Sequence, residues 1–249
     1  MIVAVLSDVH GNLPALEAVL GSLGSVDAIW HLGDVVGYGA EPDGVVERLR
    51  ELGAIGVKGN HDDAACGGSS IEDFNPAART AAEWTRNRIT AQTRRTLDSL
   101  PTTATPDAAF TIVHGSPRDP IVEYVFSPDV AASNLHAFDT PYCLVGHTHE
   151  PLVFRELTGP LAHPRSHRMQ MLYPDPGATL HLDERRALLN PGSVGQPRDG
   201  NPEASYLILD TVASTAAWHR VAYDIEAAKR RIVAAGLPRQ LASRLDFGQ

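Results

Sequence analysis

The chain has 249 residues, 43% of them hydrophobic and 20% charged, which is ample for a buried core; 18 Pro and 21 Gly are too few for a collagen-like or low-complexity protein. A net charge of −9 with 6% aromatic residues leaves no global footprint for nucleic acid or an acidic membrane. Two cysteines in unlike contexts, Cys66 and Cys143, argue against a disulfide and for a reducing, cytoplasmic setting.

Residues 2–7 are a β-branched apolar run ending in Ser7-Asp8, which predicts a buried strand; the run is too short for a signal segment or membrane span, so a soluble protein is expected. Leu13, Leu16, Val19, Leu20 and Leu23 follow at helical spacing, with a cap and first turn in Asn12-Leu13-Pro14. A strand at 28–32 ends in Gly33-Asp34, and a helix at 41–52 leads to a run at 54–58 that ends in Gly59-Asn60-His61. This alternation predicts βαβ units in a mainly parallel sheet, with a site at the carboxyl ends of the strands. Gly67-Gly68-Ser69-Ser70 reads as a loop and 75–99 as one or two helices. Runs at 110–113 and 143–145 stop at His114 and at Gly146-His147-Thr148-His149, and Cys143 in the second run reads as a buried small hydrophobe. Strands at 152–156, 168–173, 178–183, 186–189, 205–210 and 215–223 then crowd together, predicting a second, mostly antiparallel sheet. Residues 158–167 read as an exposed turn and 224–247 as helix; with no linker or repeat in between, one domain over 1–249 is expected.

Five strand ends carry Asp8-Val9-His10, Gly33-Asp34, Gly59-Asn60-His61-Asp62, His114-Gly115 and Gly146-His147-Thr148-His149. Alternate residues of a strand share a face, so Asp8 with His10, and His147 with His149, can point to one place. Carboxylate oxygen, amide oxygen and neutral imidazole nitrogen suit borderline divalent ions such as manganese, iron, zinc or nickel. One carboxylate can bridge two such ions, which hold a water and lower its pKa into a reactive range. Singly, an Asp-x-His or a Gly-Asp is a weak signal; arriving in order at five strand ends, the fragments make one candidate site.

The ordered set D-x-H, G-D, G-N-H-[D/E], H and G-H-x-H resembles the signature of the calcineurin-like metallophosphoesterases over residues 8–149, and Asn190-Pro191-Gly192-Ser193 resembles their small bacterial and archaeal phosphodiesterase branch. The resemblance implies an α/β fold, a two-sheet α/β/β/α sandwich, parallel-rich in its first half and antiparallel-rich in its second. It assigns Asp8, His10, Asp34 and His149 to one metal ion and Asp34, Asn60, His114 and His147 to another, with Asp34 bridging and manganese the first choice. A hydroxide held between the ions would attack phosphorus, while His61, left unligated, would protonate the leaving oxygen or stabilise its charge.

Phosphoprotein phosphatases and dinucleoside tetraphosphatases of this superfamily usually read G-D-x-V-D-R-G, the second Asp orienting the catalytic histidine and the Arg gripping phosphate. Here the run is Gly33-Asp34-Val35-Val36-Gly37-Tyr38-Gly39, which lacks both side chains and favours a phosphodiesterase acting on a small or nucleotide-like substrate. Asn12, Tyr38, Arg118 and Arg198 are candidate substrate contacts. A phosphomonoesterase or phosphoprotein phosphatase, a dinucleoside polyphosphate hydrolase, and a non-catalytic scaffold on the same fold are the alternatives; a scaffold has no need of Asn60-His61 and a full ligand set. A DNA nuclease would want a basic surface that is not visible, so no stable nucleic-acid or membrane partner is expected, and a homo-oligomer is left open. His31 reads as packing, and His136, His163, His167, His181 and His219 follow no ligand spacing.

Overall fold

Both faces of the first strand, β1 (Ile2–Leu6), are covered: Val3 and Val5 point to one side, Ala4 and Leu6 to the other. The computed structural model describes residues 1–157 and 168–249; the expected turn at 158–167, with His163 and His167, lies outside the described residues. After β1 come α1 (Leu13–Ser22), β2 (Ala28–His31), α2 (Pro42–Glu51), β3 (Ile55–Gly56), α3 (Asn60–Cys66), α4 (Pro76–Arg88) and α5 (Ala91–Asp98). Next are β4 (Thr103–Asp107), β5 (Phe110–Val113), α6 (Pro128–Asn134), β6 (Tyr142–Leu144), β7 (Pro151–Glu156), β8 (Met169–Leu172) and β9 (Thr179–His181). The chain closes with β10 (Ala187–Pro191), β11 (Ala204–Asp210), β12 (Thr215–Val221), α7 (Ile225–Ala234), α8 (Arg239–Ser243) and a 3₁₀ turn at Arg244–Asp246.

The strands form two mixed six-stranded sheets, β3-β2-β1-β11-β12-β9 and β4-β5-β6-β10-β7-β8. Val3, Val5, Trp30, Leu207 and Leu209 of the first sheet meet Phe110, Ile112, Leu144 and Leu189 of the second in a common core. On the outer face of the first sheet Leu16, Val19, Val45, Leu49 and Leu97 of α1, α2 and α5 cover Ala4 and Leu6; α6 covers the second through Ala131 against Val113, Cys143 and Phe154. This is an α/β/β/α sandwich.

The expected separate antiparallel sheet is not what forms. The later strands divide between both sheets: β11 pairs antiparallel with β1 (Val3 opposite Leu209), and β10 pairs parallel with β6 (Leu189 opposite Leu144). All five residues of β10 are buried, as are Ala204–Leu207 at the start of β11, so each strand takes a central place where both faces are covered. Trp218 of β12 is packed in the shared core, and its indole Nε1 donates to the Asn190 carbonyl at 2.8 Å, which avoids an unpaired buried donor.

Candidate metal centre

Asp8, His10, Asp34 and His149 bring one ligand atom each to within 4.8 Å of one another, and Asp34, His114 and His147 form a second such group; all are buried. Asp34 is common to both. Asn60 joins the second group, its Oδ1 lying 3.1 Å from Nε2 of His114.

All but Asn60, which begins α3, stand on loops just past the strands, and left-handed backbone, not the pleat of a strand, aims five of them. Asp8 (φ +53°), His10 (+50°), Asp34 (+49°), His147 (+67°) and His149 (+63°) all occupy the region that side chains rarely adopt, as does Tyr38 (+55°). The loops are tied together by main-chain bonds, Asp8 N–H to Gly33 O at 3.1 Å and His10 N–H to Asp34 O at 2.9 Å. The Asn190–Gln196 run is the clamp across them. Asn190 Nδ2 donates to Gly146 O (2.8 Å) and Thr148 Oγ1 (3.0 Å), Ser193 Oγ donates to Asp8 O (2.8 Å), and Gly195 N–H donates to Asp8 O (3.0 Å).

Hydrogen bonding leaves the centre rich in lone pairs. Ring nitrogens of His10, His114, His147 and His149 face the carbonyls of Val36 (3.0 Å), Leu32 (2.8 Å), Val122 (3.2 Å) and Gln196 (2.6 Å). A carbonyl only accepts, so each ring carries its proton on that outer nitrogen, and the inner nitrogen is an acceptor. Yet the inner nitrogens of His10 and His149 are 3.1 Å apart, and those of His114 and His147 are 3.0 Å apart. Protonation does not resolve the clash: burial holds His10 and His147 well below the usual imidazole range, lowers His114, and with Arg198 brings His149 down to about 4.

The carboxylates repeat the pattern. Asp8 Oδ2 accepts from Ser7 Oγ (2.5 Å) and His147 N–H (3.2 Å), and Asp34 Oδ1 accepts from His61 N–H (2.9 Å). The other oxygens, Asp8 Oδ1 and Asp34 Oδ2, are buried without a hydrogen-bond partner, 3.2 Å from His149 Nε2 and 3.4 Å from His114 Nε2 respectively. Burial, with the charges of Asp62 and Asp8, pushes the Asp34 carboxyl well above the carboxylate range. Acceptors converging on acceptors in a dry interior fit divalent cations, which would replace the mutual repulsion by coordination.

His61, the second residue of α3, lies beside this cluster. Asp62 starts that helix by accepting from Gly59 N–H and Val36 N–H, both at 3.0 Å. The His61 ring packs against Tyr38, Phe74 and His10 at centroid distances of 4.4, 4.8 and 5.0 Å, and its Nδ1 has no hydrogen-bond partner. Burial, with the nearby Arg198 charge, holds its imidazole well below the usual range. Gly37 (φ +90°) lies against this ring, leaving no space for a side chain.

Of the four candidate substrate contacts, Tyr38 and Arg198 lie at the centre. Arg198 donates to the Tyr38 hydroxyl (3.4 Å) and Gln196 Oε1 (3.0 Å), while its Nε is buried without a partner. The polar atoms of Asn12 and Arg118 are engaged elsewhere. Asn12 caps α1 and donates to Gly195 O (2.9 Å), and the guanidinium of Arg118 forks onto Glu123. Sequence reasoning missed Arg244, whose guanidinium stands 5.9 Å from the Tyr38 ring, as does that of Arg198. It also missed the placing of Tyr124, stacked on His147 at 3.7 Å. No spacing signal connects residues so far from the ligand motifs. His31 is packed tightly over Gly56, His219 stacks on Tyr206, and His181 bonds Ser214 O at an exposed edge. Cys66 and Cys143 are free thiols.

Residues 1–214 match the calcineurin-like phosphoesterase superfamily domain. The chain is 39% identical to an uncharacterized protein of Methanocaldococcus jannaschii, covering 99% of this chain and 98% of that protein. It is 30% identical to the phosphodiesterase YfcE of Escherichia coli, over 82% of this chain and 84% of that one. A crystal structure of a metallophosphoesterase from Sphaerobacter thermophilus superposes with a TM-score of 0.89 at 45% identity, covering 100% of this chain and 99% of that one. The chain belongs to the calcineurin-like phosphoesterase superfamily. Among the described residues no helix is long and apolar enough to cross a membrane.

Proposed function

We propose that this member of the calcineurin-like phosphoesterase superfamily is a phosphodiesterase that binds two divalent ions, manganese foremost, in the clusters joined by Asp34. The observation that carries the reading is the set of four inward imidazole nitrogens, meeting in acceptor pairs, beside two carboxylate oxygens with no hydrogen-bond partner. Asp8, His10, Asp34 and His149 would hold one ion, and Asp34, Asn60, His114 and His147 the other. When bound, the ions would supply Lewis acidity that lowers the pKa of water and neutralises phosphate charge. Ligands come from strand ends of both sheets, so the whole chain acts as one domain. The two free cysteines suit a reducing compartment, the cytoplasm.

Arg198 is assigned to the substrate phosphate because its Nε–H is unpaired and the guanidinium stands over the Tyr38 ring beside His61. His61 is assigned to the leaving oxygen. As a neutral ring it offers one N–H as a hydrogen-bond donor, and the negative charge of a bound phosphate favours the protonated form that can release a proton. A phosphomonoester dianion asks for denser positive clamping than a diester monoanion, and Tyr38 stands where the phosphatase branch carries arginine. The Arg198–Arg244 pair beside Tyr38 is the one observation favouring the alternative, a more highly charged phosphomonoester or polyphosphate.

The test is metal analysis together with kcat/KM for bis(p-nitrophenyl) phosphate and p-nitrophenyl phosphate in manganese. Two ions per chain with a clear diester preference is the expected result. A monoester preference would move the assignment to the alternative, and bound metal without turnover of either ester would leave a scaffold.

A further inference from the structure

The loop between β5 and α6 carries two exposed aromatic side chains, Tyr124 and Phe126, beside the candidate metal centre. Tyr124 lies flat on the His147 ring (3.7 Å between centroids, 13° between planes), and Phe126 lies flat on Tyr124 (5.2 Å, 11°). The three rings form a column that begins at a metal-ligand candidate and ends in solvent, with Tyr124 41% and Phe126 48% exposed. The same loop presents Val122 O to the outer nitrogen of His147, so the ledge and the ligand are positioned by one piece of backbone.

The ledge is pre-built. Glu123, between Val122 and Tyr124, accepts from Ser116 Oγ (2.6 Å), Asn134 Nδ2 (3.0 Å) and the Arg118 fork, and Asn134 Oδ1 in turn accepts from Arg118 N–H (2.9 Å). Gly115 and Ser116 N–H bond Pro120 O and Asp119 O across the loop base (2.8 and 3.0 Å). Anchoring of this kind holds two large aromatic side chains in water without their collapsing onto the core.

We infer that the Tyr124–Phe126 ledge binds a planar ring carried by the ester group of the substrate that is retained on phosphorus, most simply a nucleobase. This rests on the phosphodiesterase reading above. The occupant follows from continuity with the site: a phosphate placed at the ligand clusters has its ester substituents within reach of a column that starts on His147. Stacking of a base on an aromatic side chain contributes about 1–3 kcal/mol, roughly 5- to 150-fold in affinity. The ledge selects for the presence of a ring and not for its hydrogen-bonding edge, so purine and pyrimidine esters are both accepted.

The experiment separates the ring from the leaving group by keeping the leaving group constant. Thymidine 5′-(p-nitrophenyl) phosphate and methyl p-nitrophenyl phosphate both lose p-nitrophenolate as the water oxygen bonds to phosphorus and the P–O(aryl) bond breaks. Only the retained ester differs. The ratio of kcat/KM, thymidine ester over methyl ester, is measured with manganese for wild type, Phe126→Ala and Phe126→Trp. Calorimetric Kd values for thymidine 5′-monophosphate and methyl phosphate are taken on the same proteins, with thermal melts to confirm folding. The expected result is a ratio at least tenfold above one in wild type, falling at least fivefold in Phe126→Ala and restored in Phe126→Trp, with Kd for the nucleotide moving in parallel. Unchanged ratios and Kd values in Phe126→Ala overturn the inference. So does a dimer in wild type that Phe126→Ala dissociates with the ratio intact, since the ledge would then be a self-association surface. If neither ester is hydrolysed the phosphodiesterase reading fails, and the Kd comparison still decides whether the ledge binds the ring.

Discussion

A β-carbon at position 37 would stand 2.5 Å from Nδ1 of His61 and 2.9 Å from its Cγ: the backbone of Gly37 is in contact with the histidine ring and fixes where it sits. Gly37→Ala forces that ring to move and adds left-handed strain at φ +90°. The expected outcome is a folded protein less stable by about 1–2 kcal/mol, with metal content unchanged and kcat reduced at least tenfold. Metal analysis, thermal melts and turnover of bis(p-nitrophenyl) phosphate check this; wild-type kcat in a folded Gly37→Ala protein would refute it.

Divalent ions are expected to stabilise the fold, because they relieve acceptor repulsion between rings such as His10 and His149, 3.1 Å apart. An ion at a hundred times its Kd contributes about 2.7 kcal/mol, or roughly 5–10 °C in Tm for a chain of this size. Melts in chelator and in added manganese read the difference directly. An identical Tm in both would argue that the clusters hold no metal.

Asp34→Asn is expected to weaken both ion sites at once, since its Oδ2 faces both groups, and to abolish turnover. The His61 N–H bond to Oδ1 can be kept by the amide oxygen, so circular dichroism is expected to stay native. Full metal occupancy with normal turnover in this variant would end the two-ion reading.

His61→Ala is expected to retain metal and lose about 10²- to 10⁴-fold in kcat. The loss grows for diesters with basic leaving alkoxides and shrinks for p-nitrophenolate. A leaving-group series in wild type and variant supplies the measurement. An equal loss across the series would make His61 a group that positions phosphate, and loss of metal would make it a ligand.

Hydrogen bonds from Arg118, and then from Asn134 and Ser116, outweigh partial burial and lower the Glu123 carboxyl from 4.5 to about 2. A depressed folded pKa means stabilisation that is fully present above pH 4.5 and is lost as pH falls toward 2. Glu123 is partly open to solvent, so screening limits the contribution to about 1 kcal/mol. The stability gap between wild type and Glu123→Gln is therefore expected to be widest at neutral pH and to narrow below pH 4, as followed by urea unfolding. A gap that widens on acidification would contradict it.

The residues that gather in the two clusters stood out in the sequence because each polar group directly follows an apolar run, where the chain must leave the sheet. What could not be read was how they converge. Strand alternation suggested that Asp8 and His10 share a face, whereas both lie past β1 in left-handed backbone. Helix α3 escaped notice because Asn60–Cys66 has no apolar period; Asp62 bonding back to Gly59 starts it. The Ser127-Pro128 cap and first turn of α6 was a usable signal that went unused. Partition of the late strands between the sheets depends on which core they complete, and periodicity carries no such information. Arg244 and the Tyr124–Phe126 ledge reach the centre through long-range packing, which no spacing in the sequence signals.

Six residues in and around the two candidate metal clusters hold a backbone shape that only glycine takes without strain. Without metal, therefore, glycine in place of His10 or His149 would relax the main chain and remove a buried imidazole lone pair at the same time. His10 and His149 thus carry a backbone cost in the metal-free chain that a bound ion is expected to offset.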